Sequence, residues 1–265
     1  MKRANPGKTV LMLLEGKKGL VLNVMNKNSI GWAIADAANL HGATVGIGAQ
    51  NERMLDGVLK LVEGRERFDP FTIDFSDDAQ FDLLRDQVAE KYGKIDFIVH
   101  SVGFAPKTAL NGRFIDTTLE DFQIAMNISA YSLCRLCNAL EPLMNEDGSV
   151  ITLSYVGSTR ALKNYNVMGV CKAALESTVR YLAVDLGDRG IRVNTLSPGP
   201  VNTVSGRGIN GLTDMIKSVQ DRAPLKRPYG QEEVAGSAVY LLSDLSKGVS
   251  GQIIFIDSGY TITGM

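Results

Sequence analysis

A chain of 265 residues that is 45% hydrophobic and 22% charged holds enough apolar material for one large α/β domain and is not disordered. Twenty-eight Lys and Arg stand against 29 Asp and Glu, for a net charge of −1. That balance lacks the basic excess that nucleic acid or an anionic membrane requires, and three cysteines are too few for a disulfide framework.

Lys2 and Arg3 open the chain, and the first apolar run, residues 10–14, is shorter than a signal-peptide core or a membrane span. A cytoplasmic chain with no membrane span is the expectation. Residues 19–24 (GLVLNV) then read as a buried strand and 29–41 as a helix capped by Ser29. Further strands are expected at 44–48, 68–73, 95–100, 150–154, 191–196 and 253–256. Helices are expected at 54–63, 78–92, 119–145, 165–186 and 231–242. Near-continuous apolar strands separated by helices predict a single Rossmann-like, doubly wound parallel sheet with helices on both faces. No repeat or linker divides it. Residues 198–228, rich in Gly, Pro, Ser and Asn, are the least regular stretch and read as a functional loop or lid.

Ligands of such sheets bind beyond the carboxyl ends of the strands, so the residues that follow each strand carry the interest. The first turn reads Asn23-Val24-Met25-Asn26-Lys27-Asn28-Ser29-Ile30-Gly31. Ser29 and Ile30 supply a helix start whose amides suit a pyrophosphate, and Asn23 takes the place of a leading glycine. Asn tolerates positive φ better than other non-glycine residues, so the turn survives. An ordinary capped helix explains this stretch about as well. Tyr165-Asn-Val-Met-Gly-Val-Cys-Lys172 is more specific. Seven residues make two helical turns, which places Tyr165 and Lys172 on one face about 10 Å apart, with the ammonium lowering the phenol pKa. A packed Tyr and a solvated Lys are the bland alternative. Tyr155 ends the fifth strand and aims at the same crevice. After strand four come Ser101, Val102, Gly103, where the backbone approaches a flat ligand ring, and Phe104, an apolar wall. Cys134 and Cys137 form a C-x-x-C in an apolar helical stretch, with only His41 and His100 elsewhere. They read as buried thiols, and no metal is expected.

Ser154-Tyr155, Tyr165-x6-Lys172, His100-Ser101-Val102-Gly103-Phe104-Ala105-Pro106 and Tyr165-Asn166-Val167-Met168-Gly169 together resemble the bacterial enoyl-acyl-carrier-protein reductases. These are divergent short-chain dehydrogenases, and the likeness runs from about Leu14 to Met265. Typical short-chain dehydrogenases use Tyr-x3-Lys, which would require a tyrosine at Met168. The resemblance implies NADH rather than NADPH as cofactor, an acyl-carrier-protein or coenzyme A thioester as substrate, and a homotetramer. It implies catalytic roles for Tyr155, Tyr165 and Lys172, with Tyr165 on the thioester oxygen and Lys172 on the nicotinamide ribose. Cofactor contacts fall to Asn23, Ser29, Ile30, Gln50, Asp74, Phe75, Ser101, Val102, Gly103, Val201, Asn202 and Thr203. Substrate contacts fall to Ala105, Tyr155 and Met168, and the lid to 198–228. Four residues depart from the family pattern: Asn23 for Gly, Pro198 for Ala, Asn202 for a basic residue and Leu212 for a lid Phe. Two other readings stay open. A carbonyl or 3-oxoacyl reductase is opposed by Met168. A catalytically weak dinucleotide-binding paralogue is favoured only by Asn23.

Overall fold

The computed structural model describes residues 11–203, 206, 211–227 and 229–263. In chain order the strands and principal helices are β1 (Lys18–Leu22), α1 (Ile30–Leu40), β2 (Thr44–Ala49), α2 (Glu52–Val62), β3 (Phe68–Thr72), α3 (Ala79–Tyr92), β4 (Ile95–His100), α4 (Lys107–Leu110), α5 (Leu119–Met126), α6 (Ser132–Leu140), β5 (Met144–Leu153), α7 (Val167–Asp185), β6 (Arg192–Pro198), α8 (Leu212–Arg222), α9 (Gln231–Leu242) and β7 (Ile253–Ile256). Among the described residues seven parallel strands form one sheet in the order β3-β2-β1-β4-β5-β6-β7, the doubly wound arrangement expected. The order reverses between β1 and β4, and the two winding directions leave a crevice there.

Each face of the sheet carries its own core. Leu84 and Val88 of α3, Leu133 and Leu136 of α6, and Leu175 and Val179 of α7 cover one face. Ile34, Ala35 and Ala38 of α1 meet Val234, Ala235 and Ala238 of α9 over the other. Fully burying one such Leu, Ile or Val contributes about 1.5–3 kcal/mol. The alanines let α1 and α9 approach closely above β1 and β4, which brings the start of α1 to the crevice.

Four local expectations change. The helix expected over 119–145 is broken. Between α5 and α6, Asn127–Tyr131 widens into π geometry, and a 3-10 turn at Glu141–Leu143 leads into β5, which begins at Met144. The π turn has a consequence for the site. It aims Ser129 at the backbone of Phe104, whose N–H it accepts at 2.9 Å and whose C=O it meets at 2.8 Å. The helix expected from residue 165 starts at Val167, because Asn164 and Asn166 have φ of 63° and 38° and interrupt it. The irregular 198–228 stretch contains α8. Its residues 204–205, 207–210 and 228 lie outside those described. Finally, Cys134 is exposed while Cys137 is buried, so the C-x-x-C is not a buried pair. No helix among the described residues is long and apolar enough to cross a membrane.

Candidate active site

A cavity of about 740 Å³ opens at the carboxyl ends of the strands, within the size range of small-molecule sites. Two hydrogen bonds close the sheet reversal beside it. Asn23 Nδ2 donates to the Ser101 carbonyl at 3.0 Å, and Ser101 Oγ donates to the Leu22 carbonyl at 2.6 Å. Asn23 has φ of 63°, the left-handed conformation a leading glycine would adopt. Its side chain thus returns a cross-strand bond that glycine could not make.

From that turn the chain enters α1. Ser29 accepts the Trp32 amide at 3.1 Å and leaves the amides of Ile30 and Gly31 as the orphan donors of the helix N-terminus. Gly31 must lack a side chain, since a Cβ there would lie 2.6 Å from Ser101 Oγ. At the far end, Gln50 Nε2 donates to Asp74 at 3.3 Å and ties the tips of β2 and β3. Burial raises the Asp74 pKa, but hydrogen bonds from Ser76 and Gln50 outweigh it, and the carboxyl sits below its ordinary value. The rings of Phe75 and His100 stand nearly perpendicular, with centroids 5.6 Å apart.

The other end is built from buried titratable groups. Lys172, on the inner face of α7, donates from Nζ to the Leu153 carbonyl at 2.7 Å, and burial lowers its pKa to about 8. Tyr165 sits ahead of α7 between the two positive-φ asparagines, and its ring meets that of Tyr155 edge to face at 5.1 Å. A Cβ on Gly157 would fall 2.5 Å from the Tyr165 ring, so that glycine gives the ring its place. Burial raises the Tyr165 pKa well above its ordinary value, with Tyr155 adding to it. This corrects the expectation of a phenol whose pKa Lys172 lowers, and of two residues on one helical face. In this environment burial sets the direction of the shift, and Tyr165 stays a neutral donor. Tyr155 is pushed up to about 12, again by burial first. His100 behind them is held by Thr152 at 2.9 Å and Ser132 at 2.8 Å, and burial, then Lys172, lowers its pKa to about 3.

Asn23, Ser29, Ile30, Gln50, Asp74, Phe75, Ser101, Val102, Gly103, Ala105, Tyr155, Tyr165, Met168, Lys172, Val201 and Thr203 all line this one cavity. Asn202 does not. It is exposed, and its carbonyl lies 3.5 Å from Gln231 Nε2, at the start of α9. Sequence reading missed Lys107, Leu110, Ile124 and Ile128 on the same wall, while Met215 falls within the expected lid segment. These four come from α4, α5 and the π turn, on no strand end, and only tertiary packing brings them there.

Comparison with known proteins places this site in a family. The family model described as enoyl-(acyl carrier protein) reductase matches residues 24–261. The NADH enoyl-[acyl-carrier-protein] reductase of Rickettsia felis is 45% identical over 252 residues, 95% of this chain and 97% of that protein. The Synechocystis enzyme of the same description is 45% identical over 255 residues, 95% of this chain and 99% of its own length. Among solved structures, the Bacillus cereus enoyl-acyl carrier protein reductase with NADP+ and indole naphthyridinone superposes with a TM-score of 0.93 at 40% identity, covering 96% of this chain and 99% of that one. The Anaplasma phagocytophilum enzyme in complex with NAD gives 0.91 at 41% identity, covering 97% and 96%. The chain belongs to the enoyl-(acyl carrier protein) reductase family.

Proposed function

We propose that this chain reduces the trans-2 double bond of enoyl thioesters with NADH, in fatty-acid biosynthesis, with acyl-carrier protein rather than coenzyme A as the carrier. The observation that carries it is one wall holding Tyr155, Tyr165 and a buried Lys172, with Met168, which cannot donate a proton, where a ketone reductase needs its tyrosine. The cavity suits the cofactor. Its lining joins the hydrogen-bonded tips of β2 and β3, the N-terminus of α1 and the buried ammonium. Gln50, Asp74 and Phe75 would hold the adenosine, Ser29, Ile30 and the Asn23 turn the pyrophosphate, and Lys172 the nicotinamide ribose. Ser101, Val102, Gly103, Val201 and Thr203 would surround the nicotinamide.

Bound NADH supplies the hydride that the β-carbon accepts. Tyr165, kept protonated by burial, donates a hydrogen bond to the thioester oxygen where enolate charge develops. The Tyr155 ring fixes the Tyr165 ring and borders the acyl chain beside Ala105 and Met168. Lys172 adds positive potential in a site whose low dielectric strengthens it. Residues 198–228 form the substrate lid, a reading supported by Val201, Thr203, Gly206, Leu212 and Met215 on the cavity wall. We also infer a cytoplasmic homotetramer of single-domain subunits.

NADH is favoured because the tip of β2 offers uncharged Gln50 bonded to an ionised Asp74, and a carboxylate there repels a 2′-phosphate. One missing phosphate partner corresponds to about 1.4 kcal/mol, or about tenfold. The test follows oxidation of NADH and of NADPH with crotonyl, dodecenoyl and acetoacetyl thioesters. Turnover of the two enoyl substrates, with NADH at least about tenfold better, is the expected result. Turnover of acetoacetyl thioester alone would establish a carbonyl reductase, and none with any substrate a weak paralogue.

A further inference from the structure

Glu176 follows Lys172 by four residues on α7, about one helical turn along the same inner face. Both are almost fully enclosed, Lys172 with 6% and Glu176 with 5% of its surface exposed. Ser154 Oγ donates to Glu176 Oε1 at 2.5 Å, a short bond of the kind a hydroxyl makes to a carboxylate. Ser154 lines the cavity and Glu176 does not, so the carboxylate stands one hydroxyl behind the wall that carries Lys172. Among the described residues neither Lys172 nor Glu176 forms a direct ion pair. Lys172 Nζ is instead tied to the Leu153 carbonyl.

We propose that Glu176 is a positioning residue, the buried counter-charge that keeps Lys172 an ammonium at the cofactor side of the cavity, with Ser154 fixing its orientation. An ammonium taken out of water without a compensating charge is costly and sheds its proton. The other titratable groups that face Lys172 cannot compensate it. His100 at the end of β4 is held neutral by burial, and Tyr155 and Tyr165 from the loops around α7 have pKa values raised by burial. On α7 itself, Cys171 is pushed up to about 11 by burial and stays a thiol. Burial at Lys172 is opposed by Cys171 and by Glu176, and with Cys171 a thiol the remaining counter-charge is Glu176, one turn along the same buried face and hydrogen-bonded to Ser154. The carboxylate acts through the lysine and touches neither cofactor nor substrate.

The role rests on Lys172 holding the cofactor, and the test separates the two claims. NADH affinity is measured calorimetrically from about pH 6.5 to about 9.5 in the wild type, Glu176→Gln and Glu176→Asp. Wild-type affinity falls as Lys172 loses its proton. In Glu176→Gln, which keeps shape and removes charge, that fall moves about one pH unit lower, so affinity near pH 8 drops by up to about tenfold while affinity near pH 6.5 is unchanged. Glu176→Asp restores the wild-type position. A fall at the same pH in Glu176→Gln overturns the counter-charge role. A wild-type profile with no fall instead overturns the role of Lys172 in binding. Thermal melting gives an independent measure should Glu176→Gln fold poorly. Lys172→Met leaves Glu176 buried without its cation, and adding Glu176→Gln should recover most of the lost melting temperature. Additive losses in the double variant would contradict the pairing.

Discussion

The two ends of the cavity are built on opposite principles. At the β2–β3 end the polar groups are partly exposed and satisfied by near neighbours, Gln50 with Asp74 and Asp74 with Ser76. At the α7 end the groups are buried, and burial sets the net direction of the pKa shift at Tyr155, Tyr165, Lys172 and His100 alike, whereas at Asp74 hydrogen bonds reverse it. Recognition needs donors and acceptors that water can also reach. Stabilising a transition-state charge needs donors in a dry, fixed setting, where each is stronger. Substitutions at the buried end should therefore change turnover and stability steeply, and those at the sheet reversal should change little.

Lys172→Ala should produce the largest effect short of removing the catalytic phenol. Turnover and NADH affinity fall together, by about a hundredfold in kcat/KM, because one cation serves both. Unchanged affinity, measured by calorimetry, would return Lys172 to a purely structural part. A smaller effect is expected from His100. Its folded pKa of about 3 lies below the ordinary 6.5, so between those values the unfolded chain binds a proton that the folded chain does not. The stability this contributes is complete above about pH 6.5 and is lost as pH falls toward about 3. His100→Asn should be less stable at neutral pH and should lose less on acidification. Melting temperature against pH checks it, and equal slopes would show that His100 is not the acid-sensitive group. Asn23→Gly should do least. Removing a positive-φ side chain relieves about 1 kcal/mol, and losing the 3.0 Å bond to Ser101 costs about as much. A change in unfolding free energy beyond about 2 kcal/mol in either direction would break that balance.

The same contrast decides what could be read from the sequence. The strands, their parallel arrangement and the start of α1 were legible because they rest on local signals, apolar runs alternating with helices and a Ser cap. The Asn23 turn was legible too, since its positive φ is a property of the residue type. The setting of Tyr165 was not. A Tyr-x6-Lys spacing fits two helical turns, yet Asn164 and Asn166 turn the chain before Val167 and carry Tyr165 off the helix. The direction of its pKa shift was hidden as well, because desolvation depends on how Gly157, Tyr155 and α7 pack around the ring. The π turn at Asn127–Tyr131 leaves no mark on a 3.6-residue periodicity, and with it the placing of Ile124, Ile128 and Ser129 went unread. Lys107 reaches the cavity from a short helix in a segment with no strand signal.

The central claim is that a neutral, buried phenol stabilises the enolate. Tyr165→Phe tests it most directly, with kcat on an enoyl thioester and NADH affinity measured on the same preparation. Deleting one donor to a transition-state oxyanion costs about 3 kcal/mol, so kcat should fall a hundredfold or more, roughly, while NADH affinity stays within about twofold. Turnover close to wild type would contradict the account, since no hydrogen bond from Tyr165 could then be made in the transition state.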